Sequence, residues 1–443
     1  MLKILFNKHN LLIILHVVFG ALFLVGSAPL IICSIIVFYA MFDIVNKRNK
    51  NNRSFLWVAY FISAEVFFRM TGGLFSWELI KYLSILLLFI GVLVEEGKTS
   101  IPASFLFYLL LILIGVSNSE VPEDASMRKS IVFNLLGPVV LGVCAIFFHK
   151  KRISLKHVYE AMFYTILPII SMVIFLYFRT PDIKEIQFAG AANFETSAGF
   201  GPNQVSTALG YGVFAIGLLI IAKQKITGFV LFDILLFMYV FYRSLLTFSR
   251  GGLITGIVAL IVFAFFYAIA NKDVVKVLIK YILVSVVVII STWVYTSEIT
   301  GGMLNNRYLG QNAKGVKKAD ITSGRANIMR DQFESFMENP ILGIGVGNGR
   351  YKRKESGHKI TAAAHNEVGR IVEEHGLIGM FSLVLLLIVP LLNLKNQSTV
   401  GKGLTLSFYL LWFLTINHSA MRIALPSVVY GFSLLNIVND DED

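Results

Sequence analysis

Charge is what this chain has least of. Asp, Glu, Lys and Arg make up 15% of its residues, against about 25% in soluble globular proteins, and its mean hydropathy is +0.72. That deficit excludes an ordinary soluble domain. Polar faces at 3.6-residue spacing, which a large helical core in water would need, are also missing from most apolar runs. Cysteine is scarce. Cys33 and Cys144 both lie inside apolar runs, which argues for small buried side chains and against a disulfide framework or a metal site. No RNA- or DNA-binding module is visible, so the net charge of +12 is not read as nucleic-acid binding; lysines that anchor topology account for much of it. Internal repeats and low-complexity linkers do not stand out either.

What the chain has in abundance is apolar runs long enough to span a bilayer, with 37 Phe and 17 Tyr suited to lipid-facing and interfacial positions. The expected fold is an all-α, polytopic membrane protein of about 14 transmembrane helices, the last three at roughly 366–392, 402–417 and 422–438. The basic and apolar start resembles a signal peptide, but Ser27-Ala28-Pro29 is a poor cleavage site and a second apolar run follows at once, so it reads as an uncleaved first span. Lysine-rich linkers at 46–53 and 149–156 alternate with lysine-poor ones at 70–78 and 117–128. By the positive-inside rule the former, and both termini, are cytoplasmic. Residues 1–296 then hold eleven spans, 297–365 form one large extracytoplasmic loop, and 366–443 hold three more spans and a short acidic tail. Segments 179–201, 242–251 and 417–425 fall on the same side as the loop. The loop carries eleven Lys/Arg against six Asp/Glu. Loops beyond about 60 residues escape the charge rule, so this basic excess suits an anionic partner on the outer face.

The loop is also the one large water-facing segment, and its polar residues cluster. Thr322-Ser323-Gly324-Arg325 opens a predicted helix running to about Asn339, with Thr322 or Ser323 as N-cap and Pro340 as the stop. Ile328, Phe333, Phe336 and Met337 recur at helical spacing opposite Arg330, Asp331, Glu334 and Glu338, so the helix lies flat on the membrane surface or on the bundle roof. Its N-terminus beside Arg325 suits a phosphate; the local pattern alone equally fits a capped surface helix with a solvated arginine. The run Gly343–Gly349 lacks a preceding strand and a Walker lysine and reads as a tight turn, not a nucleotide loop.

His365-Asn366 stands at the entrance of the twelfth span. A histidine there can be an interfacial hydrogen-bonder, or, with a reference pKa of about 6.5, a base for a hydroxyl. Glu373 lies about two helical turns deeper, where a carboxylate must be paired or line a polar cavity. Arg250, in F-S-R-G-G, begins the tenth span, with Arg243 one or two turns before it. A lone arginine there snorkels, and the glycines after it permit close backbone approach. The turn Ala198–Gln204 (A-G-F-G-P-N-Q) places Asn203 and Gln204 at the mouth of the eighth span. Glu65 and Arg69 read as an i,i+4 salt bridge, and Asp233 and His418 as structural polar contacts.

Taken together, S-R-G-G opening a span, a long outer loop with T-S-G-R, N-P-I-L-G-I-G-V-G and H-N, then E-x-G in the next span, resemble the O-antigen ligase/polymerase superfamily; G-F-G-P-N-Q resembles the glycine–asparagine segment before its mid-chain span. The specific resemblance covers about residues 198–380. It implies a glycosyltransferase in the bacterial inner membrane that needs no cofactor, metal or nucleotide sugar. The donor would be a glycan on undecaprenyl pyrophosphate at the outer face, and the acceptor a hydroxyl of lipid A-core or of a growing glycan. Inversion at the anomeric carbon is also implied, and no D-x-D pair stands in the loop to hold a divalent ion. By motif, Arg250 and Arg325 would grip the pyrophosphate, His365 would orient or deprotonate the acceptor, and Arg243, Asn203, Asn366 and Glu373 would support substrate binding. The basic run Tyr351–Lys354 (Y-K-R-K) matches no motif of the superfamily. Two rival readings are a flippase or transporter of lipid-linked glycans, which predicts charges spread through the spans and broken helices in repeated halves, and a membrane scaffold that recruits partners through its loop.

Overall fold

The computed structural model describes residues 8–96, 101–120, 122, 126–188, 191–272, 275–318, 320, 322, 324–355 and 366–439, with backbone alone at 275–282, 284, 285 and 355. Ser323 and His365 lie outside the described residues.

Helices α1 (Lys8–Leu22), α2 (Ala28–Asn46), α3 (Arg53–Met70), α4 (Leu79–Val94), α5 (Ala103–Ile114) and α6 (Met127–Phe148) are followed by α7 (Leu155–Arg179), α8 (Pro202–Ile221), α9 (Val230–Leu246), α10 (Arg250–Ala270) and α11 (Val275–Ile299). The polar loop contributes α12 (Met303–Tyr308), α13 (Arg325–Glu338) and α14 (Gly349–Glu355). Helices α15 (Glu367–Asn393), α16 (Thr399–His418) and α17 (Leu425–Phe432) close the chain. Among the described residues, seven of these are long and apolar enough to cross a membrane: α2, α6, α7, α8, α10, α15 and α16. The protein is thus a helical membrane protein; among the described residues one short parallel strand pair forms, β1 (Arg152–Ser154) against β2 (Asn436–Val438).

Two local packings place the polar groups. Helices α8 and α10 cross at backbone contact. A Cβ on Gly252 would stand 2.2 Å from the Ser206 carbonyl oxygen, and one on Gly256 would stand 2.1 Å from that of Gly210. Small residues four apart on both helices allow this approach, the usual device where lipid removes any hydrophobic drive between helices. The Ser206 hydroxyl donates across the crossing to the Ser249 carbonyl (2.6 Å). The glycines after Arg250 therefore serve the close approach expected of them.

The second packing alters the predicted last span. Over 422–438 only Leu425–Phe432 is helical, eight residues or about 12 Å, too short for a bilayer of about 30 Å. Residues 419–424 before it are non-helical and almost wholly buried. Backbone without helical bonds is tolerated at that depth only where protein satisfies it. Here Glu65 accepts from the Ala424 N–H (2.6 Å), Arg69 donates to the Arg422 carbonyl (3.1 Å) and Glu367 accepts from the Met421 N–H (3.3 Å). The Glu65–Arg69 salt bridge is thus structural, as is Asp233, which accepts from the Ile226 and Thr227 amides.

Candidate functional site

The α8–α10 crossing carries two polar residues to one end of the bundle. Asn203 stands in the first turn of α8 and braces three elements, accepting from the Ser249 hydroxyl (3.1 Å) and donating to the His418 carbonyl at the end of α16 (2.8 Å). Arg250 is the first residue of α10. The loop supplies the opposite wall. Arg325 opens α13, and Arg307 of α12 donates from Nε to the Phe248 carbonyl (3.0 Å). Arg250, Arg307, Arg325, Asn203, Gln332 and Asn366 together line one cavity of about 450 Å³.

Its electrostatics are dominated by neighbouring cations. Burial pushes the Arg325 guanidinium below its ordinary value, and neighbouring Arg250 pushes it further. Arg307 is lowered by burial, then by Arg250 and Arg325; Lys318 is lowered by burial, then by Arg307 and Arg250. Cations that depress one another are stabilised by a negative ligand among them. The helix N-terminus contributes less than the sequence suggested. The N-cap of α13 is Gly324, in place of the expected Thr322 or Ser323; the Thr322 hydroxyl still takes the Ala326 N–H (3.2 Å) and the Asp320 carboxylate takes that of Gly324 (2.5 Å), which leaves fewer amides for a phosphate.

Asn366 caps α15, its side chain accepting from the Gly369 N–H (3.1 Å), and lines the cavity next to His365 in sequence.

Arg243 is not part of this cavity, contrary to its expected role in substrate binding. It is buried, and its Nη2 donates to the Leu176 carbonyl (3.2 Å), the Thr180 hydroxyl (2.6 Å) and the Thr196 carbonyl (3.1 Å). Those bonds tie α9 to the end of α7 and to the 195–197 turn. Glu373 also lies elsewhere. It lines a second cavity of about 460 Å³ with Arg350, Arg353, Arg370 and Lys129, and pairs with Arg353 (2.9 Å). Gln332 stands between the two cavities, donating from Nε2 to the Glu373 carboxylate (3.2 Å).

Nor is Glu373 carried down a continuous span. Helix α15 breaks at Gly376, whose backbone is left-handed (φ 60°, ψ −140°). The break frees carbonyls that the glycine-rich run then satisfies: Ile344 and Gly345 N–H groups bond the Glu373 and Glu374 carbonyls (3.0 and 3.1 Å), and the Gly347 N–H bonds the Glu374 side chain (3.0 Å). Gly345 needs its φ of 85° to do so. The run is therefore a cap on a broken helix. The lining residues that the sequence did not single out include Arg307 and Gln332. The basic excess of the loop signalled the first only collectively, and nothing local marks the second.

Residues 234–384 match the family model described as O-antigen ligase. No curated protein and no solved structure matches the chain.

Proposed function

We propose that this chain, a member of the O-antigen ligase superfamily through residues 234–384, transfers a glycan from a polyprenyl pyrophosphate to an acceptor hydroxyl at the outer face of the inner membrane. One observation carries the reading: Arg250, Arg307 and Arg325, from two sides of the fold, line a single cavity. In the reaction the acceptor oxygen attacks the anomeric carbon and the bond from that carbon to the pyrophosphate oxygen breaks. The pyrophosphate leaves with the electron pair. Guanidinium groups pair bidentately with phosphate oxygens and stabilise the charge that develops there, the role a divalent ion fills elsewhere. His365 takes the acceptor proton, and Asn366 and Asn203 hold the cavity's polar edge. The donor is undecaprenyl pyrophosphate-linked, displacement inverts the anomeric centre, and the acceptor is either lipid A-core (ligase) or a growing glycan (polymerase).

The transporter reading is disfavoured by where the breaks fall. Gly376 and residues 419–424 interrupt two helices of the C-terminal third, and each break is closed by protein contacts. Rocking transporters place broken helices at corresponding positions of two repeats. Purified protein in detergent with lipid-linked donor and acceptor decides the matter, because a new glycosidic bond needs no membrane asymmetry. Arg250→Ala, Arg325→Ala and His365→Ala are each expected to lower transfer by about two orders of magnitude at unchanged membrane abundance; normal product from all three refutes the assignment.

A further inference from the structure

The geometry points to α13 as a helix immersed in the outer leaflet, with one apolar row in lipid and the neighbouring face forming the wall of the arginine cavity. Around the helix, at 3.6 residues per turn, three sectors follow one another. Ile328, Asp331, Gln332 and Ser335 are buried against the protein. Arg330, Glu334 and Glu338 are exposed charges, Arg330 lying 3.7 Å from Glu334 and Glu338 pairing with Lys352. Between these sectors run Met329, Phe333 and Met337, spaced four apart and 56%, 60% and 61% exposed. A helix with protein, water and apolar sectors sits where three phases meet.

The occupant of the third sector follows from what the row joins. Just beyond Met337 the helix ends, Ile341 is likewise 65% exposed, and the Pro340 carbonyl accepts from the Leu377 N–H (2.7 Å). Leu377 heads an exposed stripe down α15 that includes Phe381, Val384 and Ile388, the surface of a candidate span that faces lipid. Residues 377–393 rise about 25 Å, close to the roughly 30 Å of a hydrocarbon core. The end of α13 therefore lies at the outer boundary of that core, the depth at which amphipathic helices bury their apolar face. Lipid covers the stripe below, and lipid covers its continuation. Met329 belongs both to the exposed row and to the cavity lining, so the cavity has an edge on the leaflet. The consequence for substrate entry rests on the donor reading above: a lipid-borne pyrophosphate reaches the arginines sideways.

The immersion itself is tested without any turnover. Cys33 and Cys144 are both buried, so Phe333→Cys and Glu334→Cys can be labelled singly with an environment-sensitive nitrobenzoxadiazole fluorophore in the full-length protein. Reconstitution is into vesicles of phosphatidylethanolamine and phosphatidylglycerol. The label at 333 is expected to be quenched several-fold more by a lipid carrying a doxyl group near the glycerol than by aqueous iodide, with the order reversed at 334. Iodide quenching at 333 as strong as at 334 overturns the proposal. So does disulfide formation between copies through Phe333→Cys with protection from both quenchers, since a second copy would then be the cover. Neither outcome bears on glycan transfer, so this inference and the functional reading fail separately.

Discussion

The cavities on either side of Gln332 both contain arginines, buried in one and partly exposed in the other, and they treat them in opposite ways. In the cavity of Glu373, Arg353 pairs with Glu373, while Arg370 pairs with Glu367 and Glu374, all of them buried. In the other, among the described residues, neither Arg250 nor Arg325 forms a salt bridge, and Arg325 is lowered by burial and by Arg250. A guanidinium held by carboxylates is part of the frame: Arg353 fixes the broken first half of α15 against α14, and Arg370 ties that half together. A guanidinium beside other guanidiniums, without a carboxylate partner, is left available to an anionic ligand. Removing it from the empty protein is expected to cost little stability.

The comparison breaks most readily at Arg370. Arg370→Ala leaves the carboxylates of Glu367 and Glu374 buried without their cation, a change that costs about 3–5 kcal/mol. Loss of folded protein is expected, measured as thermal unfolding in detergent and as abundance in the membrane; a normally folded variant would show that the pairs are not structural. Arg250→Ala and Arg325→Ala are expected to do the reverse, preserving or raising thermal stability while each lowers transfer by about two orders of magnitude, the value of roughly 3 kcal/mol of lost charge stabilisation. If either variant unfolds instead, the contrast between the cavities disappears. Arg307→Ala should fall between. Its Nε bond to the Phe248 carbonyl is a charge-assisted contact worth about 1.5–3 kcal/mol, so both stability and transfer should decline, transfer by about tenfold.

These expectations also mark what the chain disclosed in one dimension. The start and stop of α13 were legible to within a residue or two because termination is local: the helix begins at Arg325 after Gly324, with Thr322 taking the Ala326 N–H, and ends at Glu338, with Asn339 as its C-cap before Pro340. The glycines after Arg250 were legible for the same reason. The break at Gly376 was not. A glycine inside a helical pattern costs only about 1 kcal/mol, and what makes the break favourable is a distant glycine run donating its amides. The separation of Arg243 from Arg250 was also hidden. Both lie at one end of adjacent helices, but the turn through Phe248, with φ 54°, redirects the chain between them, so that one arginine faces the α7 end and the other the cavity. The two-sided role of Gln332 depends on α13 packing against the broken half of α15 and has no sequence signature.

Gln332 gives the smallest expected effect and the sharpest use of the comparison, because it touches both environments. Its Nε2 must face the Glu373 carboxylate, since the opposite amide orientation would set two oxygens against each other. Gln332→Ala removes that one hydrogen bond while Glu373 keeps Arg353, so a loss of about 1–2 kcal/mol in stability is expected, with transfer reduced only a few-fold. Gln332→Glu is nearly isosteric but adds a negative charge to the lining of the arginine cavity and opposes Glu373. If the arginines serve an anionic donor, this variant should raise the KM for donor well beyond the effect of Gln332→Ala. Equal donor KM values for the alanine and glutamate variants would mean that the cavity does not distinguish an occupant by its charge, and the contrast between the two sets of arginines would then concern folding alone.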